Sequence, residues 1–297
     1  MPRAGILLVD KPAGITSHDV VARARRALGT RKIGHAGTLD PMATGLLVLG
    51  VEGATRLLTY IVGADKTYEA TILLGASTDS DDADGEQTAR ADADEVAAVT
   101  DAAIAAGIAD LTGDIEQVPS TVSAIKVQGR RAYDLARAGE TVELQARRVT
   151  VSRFDVREIR RDDATIALDV VVDCSSGTYI RALARDLGGA LGIGGHLTAL
   201  RRTRVGSFDV GSAASVDGIA EAALVSPATA AATVVGALAV GADDARDLRH
   251  GKRIDGGGRL TGERAAAIDP DGHLVGIVER RGSQLKSVMN MPEEAPR

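Results

Sequence analysis

Apolar residues along this chain come in short runs separated by turn formers and charges, and the runs define the elements. Residues 5–9 form one run, long enough for a buried strand and ended by the turn Lys11-Pro12-Ala13-Gly14. Ser17 is then placed to cap a basic helix over residues 19–28, closed by Gly29. Residues 34–45 carry too much Gly, Thr and Pro for a regular element and read as a loop. A buried strand follows at 46–51, a helix at 54–61 and a strand at 67–74. An acidic stretch begins as a loop and becomes an Ala-rich helix over 93–106. A basic segment occupies 117–148. Strands follow near 149–158 and 164–173, then a helix over 178–191 in which Gly188 and Gly189 are weak points. From 211 to 241 the chain is rich in Ala, Val and Gly, with Pro227 as a breaker. Residues 265–278 read as a hairpin, two apolar runs around Asp269-Pro270-Asp271-Gly272. A domain boundary is expected near 235–245.

Composition changes this picture little. The chain has 297 residues, 44% hydrophobic and 26% charged, as a soluble globular protein of one or two domains would. No run approaches the roughly 20 apolar residues of a membrane helix, the N-terminal run is too short for a signal peptide, and a single cysteine makes neither a disulfide nor a cysteine zinc site. A cytoplasmic location is the expectation. The net charge of −6 is uneven: residues 79–116 carry −11, leaving +5 for the rest. Basic residues cluster at Arg23, Arg25, Arg26, Arg31 and Lys32, at Lys126, Arg130, Arg131 and Arg137, and at Arg201, Arg202 and Arg204. Local potential governs contact with phosphate, so these clusters permit an RNA partner, although solvated faces would look the same. With four Tyr, two Phe and no Trp, a broad base-stacking sheet is disfavoured.

Several chemistries are excluded by their missing motifs. There is no phosphate loop, Gly192 to Gly195 lacks the dinucleotide spacing, and a calcium loop beginning at Ser80 fails because Ala91 stands where its bidentate Glu should be. The five histidines show no ligand spacing. What remains is carboxylate, arginine, tyrosine and backbone. Gly34-His-Ala-Gly-Thr-Leu-Asp-Pro-Met-Ala-Thr-Gly45 brings the backbone close to its occupant, and Pro41 biases Asp40 to an extended conformation. Asp40 could serve as a nucleophile, a base or a metal ligand there. It could equally cap a helix, as Asp before Pro often does. In Cys174-Ser-Ser-Gly-Thr-Tyr-Ile-Arg181, Arg181 could bind phosphate, pair with a buried carboxylate elsewhere, or make a surface ion pair.

Taken in order, Val9-Asp-Lys-Pro-Ala-Gly-Ile-Thr-Ser17, the Gly34 to Gly45 loop and Cys174 to Arg181 closely resemble the bacterial TruB family of tRNA pseudouridine-55 synthases. Lys66-Thr-Tyr68, residues 79–85, Gln117-Val-Pro119, Ser123 to Lys126 and Leu200 to Arg204 extend the resemblance over about residues 5–210. It implies an α+β fold, a mixed, largely antiparallel sheet flanked by helices over 1–240, with a small β-rich PUA-like RNA-binding domain over 241–297. It puts the catalytic aspartate at Asp40, the tyrosine that packs on the target base at Tyr68, and the arginine that pairs with the aspartate at Arg181. Substrate-binding residues fall on His35 and Tyr179, and on Lys126 and Arg130 in an RNA-gripping insertion at 117–148. Ala36 stands where many relatives carry Thr. The implied activity isomerises one uridine in the T-arm stem-loop of tRNA, after flipping it out, with no cofactor, no metal and no obligatory protein partner. A guide-dependent synthase and an RNA-folding protein remain as alternatives.

Overall fold

The structure is a computed structural model that describes residues 3–121, 126–127, 130–131 and 144–292. The chain forms two compact units, one made of residues 1–41, 45–64 and 204–297 and the other of residues 42–44 and 65–203.

In the first unit the strand Gly5–Lys11 runs antiparallel to Thr44–Val51, in register from Gly5 opposite Val51 to Lys11 opposite Gly45. Ile33–His35 joins Thr44–Val51 on its other edge, and Ala214–Ser215 adds a short parallel pairing. These strands are covered on both faces, which is why they read as continuous apolar runs. Ile6, Leu8, Leu46 and Val48 pack with Ala54, Leu57 and Ile61 and with Ala228, Ala230 and Ala231. Leu7, Val9, Leu47 and Leu49 face the other way, onto Val20, Val21 and Ala24 of the helix Ser17–Ala27. A five-stranded sheet closes the unit, in the order Ala237–Ala239, Arg264–Ile268, Leu274–Arg281, Gln284–Asn290, Arg253–Asp255. Its predicted hairpin is present: Gly272 N–H donates to the Asp269 carbonyl at 3.0 Å and Asp269 N–H to the His273 carbonyl at 3.0 Å.

The second unit is a sheet in the order Gly195–Val205, Lys66–Leu74, Ile166–Cys174, Arg147–Arg161, Gly113–Gln117, with the last three pairings antiparallel. The helix Ile180–Ala190 packs close to Asp101–Asp110, where Gly107 leaves no room for a Cβ beside Leu187. Of the basic insertion, Lys126–Val127 and Arg130–Arg131 form a two-stranded pair. Residues 122–125, 128–129 and 132–143 lie outside the described residues. The architecture is therefore α+β, mixed and largely antiparallel, with a β-rich C-terminal part.

Local chemistry overrode four of the sequence expectations. The first helix is capped by Thr16, not Ser17: Thr16 Oγ1 accepts from Asp19 N–H and the Asp19 carboxylate from Thr16 N–H, a reciprocal capping box. The region expected to be one helix over 93–106 is two, Ala93–Ala98 and Asp101–Asp110, because Val99 is extended and Thr100 caps a new start. Residues 54–61 begin as a 3₁₀ turn, Glu52–Leu57, before the α-helix Leu58–Ile61. Pro227 breaks nothing; it occupies the first turn of the helix Pro227–Val235, where its missing N–H costs nothing, with Ser226 as cap.

The two glycines expected to weaken helix Ile180–Ala190 differ sharply. A Cβ on Gly188 would lie 2.2 Å from the backbone of Gly194 and Gly195, whereas one on Gly189 meets nothing within 4 Å. Gly188→Ala is expected to destabilise the protein by about 3 kcal/mol or more through overpacking against backbone. Gly189→Ala should stabilise it by about 0.5–1 kcal/mol through helix propensity. Urea unfolding of the two variants checks both signs.

Candidate active site

In the first unit the loop bearing Asp40 is fixed on either side of that residue. Because Thr16 caps the helix, Ser17 is free to bind the loop: its buried hydroxyl accepts from Leu39 N–H at 2.9 Å and donates to the Leu39 carbonyl at 3.1 Å. On the far side, the Pro41 carbonyl accepts from Gly14 N–H at 2.9 Å and from Lys11 Nζ at 3.2 Å. Lys11 is fully buried and also donates to the carbonyls of Pro12 and Ile15. A buried ammonium needs such partners, since leaving it unsatisfied costs several kcal/mol. Asp40 itself is half-buried. No helix follows it: residues 41–42 bend and Ala43 leads into the strand from Thr44, so the capping role that Asp-Pro could have had is excluded. Gly37 has φ 100°, a conformation L side chains avoid. Ala36 is buried and its N–H donates to the Val48 carbonyl, so the absent threonine hydroxyl leaves the loop's anchor intact. His35 ends the strand Ile33–His35 and meets His18 edge to face, ring centres 5.7 Å apart.

The second unit carries Tyr68, Tyr179 and Arg181. Tyr68 lies on the strand Lys66–Leu74, opposite Val172, on the same buried face as Lys66, Ala70 and Ile72. Tyr179 precedes the helix Ile180–Ala190, and its backbone N–H and carbonyl are both bound by the side chain of Gln117. Arg181 is 3% exposed, which rules out a surface ion pair. Its Nη1 donates to the Ser80 carbonyl at 2.7 Å and stands 3.2 Å from the Asp82 carboxylate, itself buried. Of the three readings open for Arg181, phosphate, a buried carboxylate or a surface ion pair, the structure shows the second, with Asp82 as the carboxylate. The signal for Asp82 was the Asp-rich turn 79–85, set aside once its calcium-loop pattern failed. Lys126 and Arg130 sit at opposite ends of the small strand pair, Lys126 facing Arg131 and Arg130 facing Val127 in register.

Two buried titratable groups, Lys66 and Cys174, lie opposite each other two residues from Tyr68 along the ladder. The Cys174 thiol is pushed up to about 11 by burial, so it stays protonated and inert. The Lys66 ammonium, also buried, is pushed down to about 8, first by burial and then by the like charge of Arg202. Elsewhere, Asp269, Asp271 and His273 at the hairpin turn could offer ligand atoms to a cation, but the Asp269 carboxylate is already held by Arg249 at 2.7 Å. Among the described residues no helix is long and apolar enough to cross a membrane.

Residues 25–180 match the TruB family pseudouridylate synthase N-terminal domain. The chain is a member of the TruB family of pseudouridylate synthases. Residues 181–239 match the tRNA pseudouridylate synthase B C-terminal domain, and 236–292 the C-terminal domain of tRNA pseudouridine synthase II. Its relatives include tRNA pseudouridine synthase B of Leifsonia xyli subsp. xyli, 58% identical over 98% of this chain and 97% of that one. The proteins of the same name from Rhodococcus jostii and Mycobacterium ulcerans are 56% and 52% identical, each covering 96% of this chain and 93% and 94% of the relative. A Cbf5-Nop10-Gar1 complex contains a chain of similar structure, with TM-score 0.69 and 25% identity over 98% of this chain and 84% of that one. An H/ACA ribonucleoprotein bound to a substrate RNA contains another, with TM-score 0.69 and 23% identity over 97% and 85%, a likeness of fold. As a member of this family the chain is an isomerase of RNA uridine.

Lys66 permits a test with a definite sign. Below pH 8 it is protonated in folded and unfolded chains alike, so the full penalty of burying the charge is present. As pH rises through about 8 the folded protein releases that proton, while the unfolded chain keeps it to about 10.5. Folding is therefore relieved of the penalty over that window. Lys66→Met should show its most favourable stability relative to wild type at pH 7, with the advantage shrinking by about pH 9.5. Unfolding free energies at the two pH values check this; a difference that does not move with pH would mean Lys66 does not titrate there.

Proposed function

We propose that this enzyme converts uridine 55 in the T-arm of tRNA to pseudouridine, without a cofactor, in the cytoplasm and without an obligatory protein partner. The observation that carries the reading is the fixation of the peptide at Asp40, a half-buried residue whose neighbours Leu39 and Pro41 are both held by polar contacts. A carboxylate held this way suits a reaction that breaks the N1–C1′ bond, turns the uracil and rejoins it through C5, whether it attacks C1′ or C6 or takes a ribose proton. The names and high identity of the relatives support tRNA as the substrate.

The other residues take roles consistent with their places. Flipping the uridine out of its stack costs a few kcal/mol, and stacking on Tyr68, about 1–3 kcal/mol, offsets much of it. Arg181, held in place by Ser80 and Asp82, supplies a fixed positive charge for the reaction. His35 engages the T-loop, Tyr179 lines the active site as a further substrate-binding tyrosine, and Lys126 and Arg130 on the insertion grip the RNA. Residues 241–297 act as a PUA-like RNA-binding domain.

Asp40→Asn is expected to bind tRNA normally and to lose turnover, because the amide preserves shape and removes the reacting group. Pseudouridine mapping on a tRNA transcript incubated with the lone protein tests both the site and the residue. Modification at another position, or multiple turnover by the variant, would overturn the reading. Tyr68→Phe separates stacking from proton transfer. We expect affinity to persist and single-turnover rates to fall by about 10²–10⁴, the usual worth of acid–base assistance. A rate within a few-fold of wild type would leave Tyr68 as a stacking platform.

A further inference from the structure

Gln117 ends the strand Gly113–Gln117 and pairs with Arg147, so it stands where the chain leaves the sheet for the insertion and where it returns. Its side chain is 1% exposed, and both ends of its amide are committed to one residue. Tyr179 N–H donates to Gln117 Oε1 at 2.8 Å, and Gln117 Nε2 donates to the Tyr179 carbonyl at 3.0 Å. The amide pairs with that peptide as a neighbouring strand would. Tyr179 is the N-cap of the helix Ile180–Ala190, yet its own side chain makes no capping bond, and it lies two residues before Arg181.

The segment after Gln117 is fastened to the same helix and to the loop that holds Arg181. Arg185, one turn beyond Arg181, donates to the Val118 carbonyl at 2.7 Å and stands 3.3 Å from the Asp81 carboxylate. Asp81 adjoins Asp82, the partner of Arg181, and has φ 60°, a strained conformation for a residue with a Cβ. Leu197 N–H donates to the Asp81 carbonyl at 3.0 Å, and Thr121 Oγ1 to the Asp79 carbonyl at 3.3 Å. Residues 117–121, at the insertion's root, are thus tied to the backbone of Tyr179, to Arg185 and to the turn that holds Arg181.

We propose that Gln117 is a positioning residue for the isomerisation, fixing Tyr179 at the head of the Arg181 helix and joining the insertion's root to it. This rests on the roles given above to Tyr179 and the insertion. Glutamine suits the task because its planar amide presents one donor and one acceptor together. Glutamate offers acceptors alone, and asparagine is one methylene too short. Displacing a substrate-contacting residue by about 1 Å can cost about a hundredfold in rate.

The test compares single-turnover rates at saturating tRNA, and tRNA affinities, for wild type, Gln117→Met, Tyr179→Ala and the double variant. Gln117→Met should slow the saturated rate by about ten- to a hundredfold with affinity within about threefold, and should slow it no further when Tyr179 is already alanine. Where Gln117→Met does not fold, Gln117→Glu replaces it, keeping the acceptor for Tyr179 N–H and losing the donor; it should give a smaller loss with the same non-additivity. Additive losses, or a slow Gln117 variant beside a normal Tyr179→Ala, would overturn the proposal, as would a normal rate for the Gln117 variants. Failure of wild type to modify uridine 55 would instead overturn the function proposed above.

Discussion

The buried ammonium of Lys11 is the contact on which the Asp40 loop depends. A cation removed from water must find oxygen partners, and this one draws three carbonyls, of Pro12, Ile15 and Pro41, around a single point. The strand Gly5–Lys11, the turn after it and the end of the Asp40 loop are thereby held in one arrangement. Ser17 completes the hold from the helix side, and it can do so only because Thr16 and Asp19 satisfy the helix terminus between them. Neither Lys11 nor Ser17 needs to touch a substrate to matter. Each removes conformational freedom from the peptide beside Asp40.

The second unit also buries a cation, and supplies it with a carboxylate as well as a carbonyl. Arg181 and Arg185 project from successive turns of one helix, and adjacent carboxylates, Asp82 and Asp81, receive them. Burying Arg181 without such a partner would be strongly unfavourable, whereas the carboxylate and the Ser80 carbonyl together turn it into a fixed donor. The burial raises Asp81 above the ordinary carboxylate range, against the pull of the two arginines. Arg181, unlike Arg185, is thus fully internal. Its neighbours Ala182, Leu183, Ala184 and Leu187 are buried with it.

Much of this was legible in the sequence. Runs covered on both faces announced the strands, and Asp269-Pro270-Asp271-Gly272 announced its hairpin, because those signals act over a few neighbouring residues. The motif around Asp40 singled out the loop, and a buried carboxylate was among the partners open to Arg181. The family followed from several motifs in order. What sequence reading assigned wrongly were matters of local competition: Thr16 against Ser17 for a helix cap, a cap at Thr100 inside an Ala-rich stretch, Pro227 as a start where a stop was expected.

Only the tertiary structure decided which distant groups satisfy one another. The partners of Arg181 lie about a hundred residues earlier in the chain, and Gln117 reaches 62 residues ahead to Tyr179. Nothing in their spacing reveals it, because a polar side chain's partner is fixed by where the backbone places it after the apolar faces have packed. Gly188 and Gly189 make the same point. The sequence marks both as helix weaknesses, but only the chain folded against Gly188 leaves no room for a Cβ there while leaving Gly189 room for one. The sequence by itself determined most of the elements and the family, since these depend on local pattern. Packing decided which charge is buried against which, since that depends on contacts the linear order does not contain.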